Sequence, residues 1–282
     1  MMPHLLNGHS AIDIGLQDRG LQYGDGLFET IAVRRGRLEF WQQHMQRLQA
    51  GCRRLQIPCP DSRLLLAEAR HLLQGRSEAV IKIIVTRGEG GRGYRAPEYT
   101  LARPNRIVSL YDWPDHPAAN QRAGVAARIC TTALGINPAL AGIKHLNRLE
   151  QVLARSEWDD AHIHEGLMLD VHGHLIEATM SNVFFIKAGT LYTPDLANCG
   201  VAGIMRDVIL DIARSGHIPC DIGHFSRADL EAADELFICN SLIGIWPLKQ
   251  LEQYSFPAGP LTHQIINALD RARHEHAGHE NI

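Results

Sequence analysis

Apolar positions along the chain switch repeatedly between a period of two and a helical period, the mark of a mixed α/β protein. Residues 28–34 and 38–41 alternate as strands and flank Arg35-Gly36-Arg37, which predicts a hairpin. From 42 to 55, Met45, Leu48, Cys52 and Leu55 recur at helical spacing. Asp61 and Ser62 can cap a second helix, whose apolar face holds Leu64, Leu65, Ala69, Leu72 and Leu73. Residues 79–86 form a strand rich in β-branched side chains, with 106–111 as its expected partner.

A polar stretch with two prolines, residues 113–120, then interrupts the pattern, and a domain boundary is expected there. Beyond it, 124–132 reads as a strand and 146–161 as a helix. Short strands follow at 167–170, 175–179, 183–186 and 190–192. A helix over 204–215 should end on a left-handed Gly216, ahead of a strand at 234–240 and a closing helix at 261–274. The expected fold class is therefore mixed α/β in two domains, 1–116 and 117–282, the second richer in β-structure.

Composition narrows the chemistry. A net charge of -3 with interspersed signs gives no basic stripe, so no nucleic-acid partner is expected. The six cysteines contain no CxxC pair. Residues 1–15 lack a charged-then-apolar leader pattern, and no apolar run has the length of a membrane span, so a cytoplasmic protein is expected. His274-Glu275-His276-Ala277-Gly278-His279 misses the HExxH interval, and no metal site is expected. Gly88-Glu89-Gly90-Gly91-Arg92-Gly93 fits GxGxxG after a strand, with Asp112 about 20 residues on. A dinucleotide site needs a helix opening at the third glycine, whereas Pro97 and Pro104 follow, so a glycine-rich loop carrying Arg92 and Tyr94 is the better description.

Only four of the 28 basic residues are lysines: Lys82, Lys144, Lys187 and Lys249. Three have bland settings, in a strand, a hairpin turn and a polar segment. Lys144 follows the uncharged run Ala139-Leu140-Ala141-Gly142-Ile143. A buried stem would lower its pKa and make it nucleophilic; a lysine at a helix start with its head in water is equally compatible.

The run Gly142-Ile143-Lys144-His145-Leu146-Asn147-Arg148-Leu149-Glu150-Gln151 resembles the lysine segment of aminodeoxychorismate lyases, which share the two-domain fold of D-amino-acid and branched-chain (class IV) aminotransferases. Three more segments agree in order and separation: Asp18-Arg19-Gly20-Leu21-Gln22-Tyr23-Gly24-Asp25-Gly26-Leu27-Phe28-Glu29-Thr30, Glu177-Ala178-Thr179-Met180-Ser181-Asn182-Val183-Phe184, and Gly203-Ile204-Met205-Arg206. The resemblance implies pyridoxal 5'-phosphate (PLP) as cofactor, with Lys144 the Schiff-base lysine and proton shuttle in the larger domain. It implies that Glu177 faces the pyridine nitrogen, that Asn182 shapes the wall beside it, and that Arg47 in the smaller domain, the Ile204 and Met205 N–H groups and Ser241 hold the phosphate. By itself Arg47 reads as one solvated arginine among many, and Ser241 could equally cap a turn. Arg92, Tyr94, Tyr23 and Glu29 are the implied substrate contacts, since an arginine fork suits a carboxylate.

The implied reaction converts 4-amino-4-deoxychorismate to 4-aminobenzoate and pyruvate, a step towards folate, in a homodimer acting on a small molecule. Two alternatives stand: a D-amino-acid or branched-chain transaminase, and a PLP-binding protein without activity. Branched-chain enzymes carry a tyrosine where this chain has Leu149. D-amino-acid enzymes carry Arg-x-His where it has Arg92-Gly93-Tyr94. Together the departures favour the lyase. Leu149 alone does not exclude a D-amino-acid enzyme, and Glu29-Thr30 also occurs in transaminases.

Overall fold

The computed structural model describes residues 3–10 and 13–279, with side chains described as far as Arg273. The His274–His279 cluster therefore lies outside the described side chains. Two compact units emerge: Met1–Pro114 with Ile143–Asn147, and Asp115–Gly142 with Arg148–Ile282. The break after Pro114 falls inside the two-proline stretch. The Lys144 segment, expected in the larger unit, packs with the smaller one.

Among the described residues, the first unit holds a six-stranded sheet built from β1 (His4–Leu6), β2 (His9–Ser10), β3 (Gly26–Arg34), β4 (Arg37–Leu38), β5 (Glu78–Thr86) and β6 (Asn105–Tyr111), in the order β2-β1-β6-β5-β3-β4. Its pairs are antiparallel. Because β5 and β6 are adjacent antiparallel partners and the intervening residues 87–104 contain no helix, the glycine-rich motif does not open a dinucleotide-type crossover. Helices α1 (Arg19–Tyr23), α2 (Trp41–Leu55) and α3 (Ser62–Leu73) complete the unit. The expected strand at 38–41 stops early because Phe40 turns the chain with φ 54°, so that Trp41 opens α2. As expected, Asp61 caps α3, its side chain accepting from the Arg63 N–H. Buried Trp41, Met45, Leu48 and Cys52 line one face of α2, and Gly51 brings that face close to Leu27.

The second unit contains α4 (Ala118–Ala123), β7 (Val125–Ile129), α5 (Leu149–Arg155), β8 (Ile163–Leu169), β9 (Leu175–Ala178), β10 (Asn182–Lys187), β11 (Thr190–Pro194), α6 (Ile204–Ser215), β12 (Cys220–Gly223), α7 (Arg227–Glu231), β13 (Glu235–Asn240), β14 (Gly244–Leu251), β15 (Tyr254–Ser255) and α8 (Pro260–His279). Among the described residues its sheet runs β12-β11-β10-β13-β14-β7-β8-β9, with β15 paired to β14. Aromatic and branched side chains from β10, β13 and β14, including Phe185, Ile238 and Trp246, form its core.

Three differences from expectation have local causes. The helix expected over 146–161 is only Leu149–Arg155, because residues 144–146 are drawn into hydrogen bonds with β3. Gly216 has φ -84° and is not left-handed; the next residue, His217, takes that role with φ 52°. Strand β14 escapes pattern reading because Pro247 interrupts it, beside a register shift at Leu248–Gln250. Among the described residues, no helix is long and apolar enough to cross a membrane, and no group of three or more His, Cys, Asp or Glu is arranged to hold a metal ion.

Candidate active site

Lys144 takes its place through backbone pairing. The Phe28 N–H donates to the Lys144 carbonyl at 2.9 Å, and the Leu146 N–H donates to the Gly26 carbonyl at 3.0 Å. Leu27 and His145 form an antiparallel bridge between these bonds. The lysine is half-buried, with Nζ 4.4 Å from the centroid of the Phe28 ring. The ring beside its amine thus comes from β3 and not from the apolar run that precedes it. Lys82, expected on a solvated face, is also half-buried, with Nζ 5.5 Å from the same ring. Its neighbour in register is Thr30 of β3, which explains the shared aromatic partner.

The same strand carries Glu29, 1% exposed. Its Oε2 accepts from His44 Nδ1 at 2.6 Å and from Arg47 Nη2 at 2.5 Å, while Oε1 accepts from Arg47 Nε at 2.9 Å. A spacing of three on α2 puts His44 and Arg47 on one helix face, towards Glu29. Burial alone would raise the Glu29 carboxyl, but the Arg47 charge and the bonds from His44 and Arg47 bring it down to about 2. Burial holds the His44 imidazole below its ordinary value; Glu29 opposes that shift, and the Arg47 and Lys144 charges reinforce it. Glu29, expected as a substrate contact, has both carboxylate oxygens engaged by Arg47 and His44. Tyr23 and Tyr94 do come together, their rings meeting edge-on at 5.5 Å. Tyr94 and Arg92 are exposed on the glycine-rich loop.

The second unit supplies a different carboxylate. Glu177 on β9 is 4% exposed; its Oε1 accepts from Gln151 Nε2 at 3.2 Å and its Oε2 from the Val201 N–H at 2.8 Å. Gln151 comes from α5, and its own Oε1 is buried with no hydrogen-bond partner among the described residues. The Arg148 guanidinium is pulled below its usual range by burial, against the opposing charges of Glu177 and Glu150. Asn182 opens β10 and donates from Nδ2 to the Val201 carbonyl at 2.9 Å. A side chain at Gly203 would collide with Asn182, so this asparagine shapes the approach to α6. Helix α6 starts after Gly203 with no side-chain cap, at the buried pair Ile204 and Met205. Uncapped first-turn N–H groups and the helix dipole suit an anion.

Ser241 follows β13 in a turn set by Asn240, whose Oδ1 accepts from the Leu242 and Ile243 N–H groups at 2.9 and 3.0 Å. The Asn240 amide also donates to the Met180 carbonyl at 3.2 Å. Glu165, fully buried, gathers the turn after Glu177 by accepting from Thr179 Oγ1, Ser181 Oγ and the Gly166 N–H. Sequence reading missed His44, Gln151, Arg148, Asn240, Glu165 and Arg19. For His44 a signal existed, its placement three residues before Arg47 on the apolar face of α2. The others act on partners distant in sequence or through backbone groups.

Comparison with known proteins identifies the family. The sequence profile described as Amino-transferase class IV matches residues 26–251. The chain belongs to that family. An aminodeoxychorismate lyase from Vibrio harveyi is 40% identical over 269 residues, which span 94% of this chain and 98% of that protein. A solved 4-amino-4-deoxychorismate lyase from Pseudomonas aeruginosa has 46% identity and a TM-score of 0.90, covering 95% of this chain and 98% of its own. A D-alanine aminotransferase from Listeria monocytogenes is 28% identical over 271 residues, 93% of this chain and 91% of that protein.

Proposed function

We propose that this class IV protein is a PLP-dependent lyase that converts 4-amino-4-deoxychorismate to 4-aminobenzoate and pyruvate, a step towards folate. The observation that carries the reading is 40% identity to a lyase over nearly the whole chain, against 28% to a transaminase of similar coverage. Leu149 and Arg92-Gly93-Tyr94 lie where the transaminases differ, and they support the same choice.

The residues present fit PLP. Each unit holds groups of the kinds PLP needs: in the first a half-buried amine over an aromatic ring and an arginine fixed by an ion pair, in the second a buried carboxylate and an uncapped helix start. When bound, PLP supplies an electron sink for the carbanionic character that develops at the substrate ring. Lys144 would hold the cofactor, and its Nζ, freed when the substrate's amine takes its place, would accept the proton from ring carbon C4 of the substrate. The same Nζ returns a proton to the departing enol, which leaves as pyruvate while the ring becomes aromatic. Glu177 would keep the pyridine nitrogen protonated, its oxygens held by the bonds from Gln151 and Val201. The resemblance assigns the phosphate to Arg47 in the first unit and to the first N–H groups of α6 and Ser241 in the second, and the adjoining wall to Asn182. Arg92 and Tyr94, backed by Tyr23, meet the substrate carboxylates.

The reading includes a cytoplasmic homodimer. Leu149, Val152 and Leu153 are 74%, 57% and 60% exposed at helical spacing on α5, an apolar stripe that supports association. Activity is tested by supplying 4-amino-4-deoxychorismate to the PLP-loaded protein with no keto acid. Catalytic release of 4-aminobenzoate and pyruvate in equal amounts is expected. Amino transfer from a D- or branched-chain amino acid to 2-oxoglutarate, without that release, would sink the lyase reading.

A further inference from the structure

The loop carrying Arg92 and Tyr94 has a buried cation behind it. Arg19, first residue of α1, is 3% exposed. Its Nη1 donates to the Gly93 carbonyl at 3.0 Å and its Nη2 to the Tyr94 carbonyl at 3.1 Å. Its backbone N–H donates to the Gly88 carbonyl at 2.9 Å. One residue therefore grips both the base and the far side of the loop. The guanidinium also lies 4.9 Å from the centroid of Tyr23, the ring that meets Tyr94 edge-on.

Arg19 is itself anchored. Its Nε donates to Asp25 Oδ2 at 2.9 Å, and Arg87 engages the same carboxylate through Nε at 2.7 Å and Nη2 at 2.9 Å. Arg87 continues to the Leu55 and Gln56 carbonyls at the end of α2, at 2.7 and 2.8 Å. Burial would raise the Asp25 carboxyl, but the bonds and charges of Arg87 and Arg19 hold it below its ordinary value. The loop closes tightly over this support, since a Cβ at Gly90 would come within 2.6 Å of Arg19 Cδ. A glycine-rich segment loses much conformational entropy when ordered, so a fixed conformation needs such external bonds.

We propose that Arg19 is a positioning residue for substrate recognition: its guanidinium fork holds the Arg92-Gly93-Tyr94 segment in one conformation before the substrate's carboxylates arrive. This rests on the reading of Arg92 and Tyr94 as substrate contacts. Preorganisation of this kind lowers the ordering cost at binding and leaves proton transfer at Lys144 untouched. Lysine cannot copy the planar fork that reaches Asp25 and two carbonyls together.

The test compares Arg19→Met, Arg19→Lys and Gly90→Val in the PLP-loaded protein. Gly90→Val displaces the Arg19 side chain without removing it, and serves where Arg19→Met does not fold. The readouts are KM against kcat for 4-amino-4-deoxychorismate and the rate of tryptic cleavage after Arg92 and Arg95. We expect KM to rise about 10-fold or more with kcat within about 3-fold of the parent, and cleavage to accelerate about 10-fold. Arg19→Lys should fall between the parent and Arg19→Met. Unchanged cleavage in Gly90→Val and Arg19→Lys overturns the proposal with the substrate-contact reading intact. Faster cleavage with unchanged KM overturns it through that reading, because the loop would then be held by Arg19 yet not used for substrate.

Discussion

The buried carboxylates of Glu29, in the first unit, and Glu177, in the second, differ in what donates to them. Glu29 accepts from the forked Arg47 guanidinium and from His44, and these partners drive its carboxyl down to about 2. Glu177 accepts from the Gln151 amide and the Val201 N–H, and interacts with the charge of Arg148. The first arrangement fixes the Arg47 guanidinium, which the proposed function gives to the phosphate. The second fixes the carboxylate's direction through an amide and a backbone N–H, with the Arg148 charge acting on it as well; in the proposed function this carboxylate serves the ring nitrogen. Residue type alone does not separate the two roles; the partners do.

Neutralising each carboxylate breaks the comparison most sharply. Glu177→Gln keeps the shape and an acceptor for the Val201 N–H but removes the charge. We expect kcat to fall about 100-fold or more, with Tm little changed. Glu29→Gln leaves Arg47 without its charged partner, and breaking such a buried pair costs about 3 kcal/mol or more. That variant should melt about 6 °C or more below the parent and bind PLP about 10-fold more weakly, with a smaller loss of kcat at saturating cofactor. Equal effects on rate and melting in both variants would erase the distinction.

The smallest expected effect is on acid stability. Between its ordinary 4.5 and about 2, the Glu29 carboxyl binds more protons in the unfolded chain than in the folded one. The stabilisation it gives above pH 4.5 is therefore lost as pH falls towards 2. His44, held below its ordinary 6.5, acts in the same direction from pH 6.5 downwards, because the unfolded imidazole takes up a proton that the folded one resists. Tm should decline below pH 6.5 and more steeply below 4.5, with the steeper part reduced in Glu29→Gln. A melting profile in Glu29→Gln as steep as the parent's would show that this carboxylate contributes nothing to acid lability.

Much of the fold was legible in the sequence, and the illegible parts have physical reasons. The helix expected at 204–215 forms as Ile204–Ser215, with Val208, Ile209 and Ala213 buried on one face. Strand β14 stayed hidden because a proline in its middle imitates a break. The Lys144 segment looked helical because its leucines suit either pattern, and pairing with β3 decided the matter. In the site, Lys144 stood out through its motif, whereas the work of Glu29 depends on burial and on two side chains 15 and 18 residues away. Arg19 was hidden further still, since its loop partners are backbone carbonyls 74 and 75 residues distant and carry no side-chain signature.

In the proposed function Lys144 carries the chemistry, and Lys82, its neighbour on the Phe28 ring, does not. Lys82 Nζ and Lys144 Nζ lie 5.5 and 4.4 Å from that ring's centroid, so the distinction must be measured. The direct measurement is borohydride reduction of the PLP-loaded protein, followed by peptide mass analysis. A phosphopyridoxyl group on Lys144 alone, absent after Lys144→Ala together with 4-aminobenzoate release, is the expected result. The label on Lys82, or full turnover in Lys144→Ala, would contradict it.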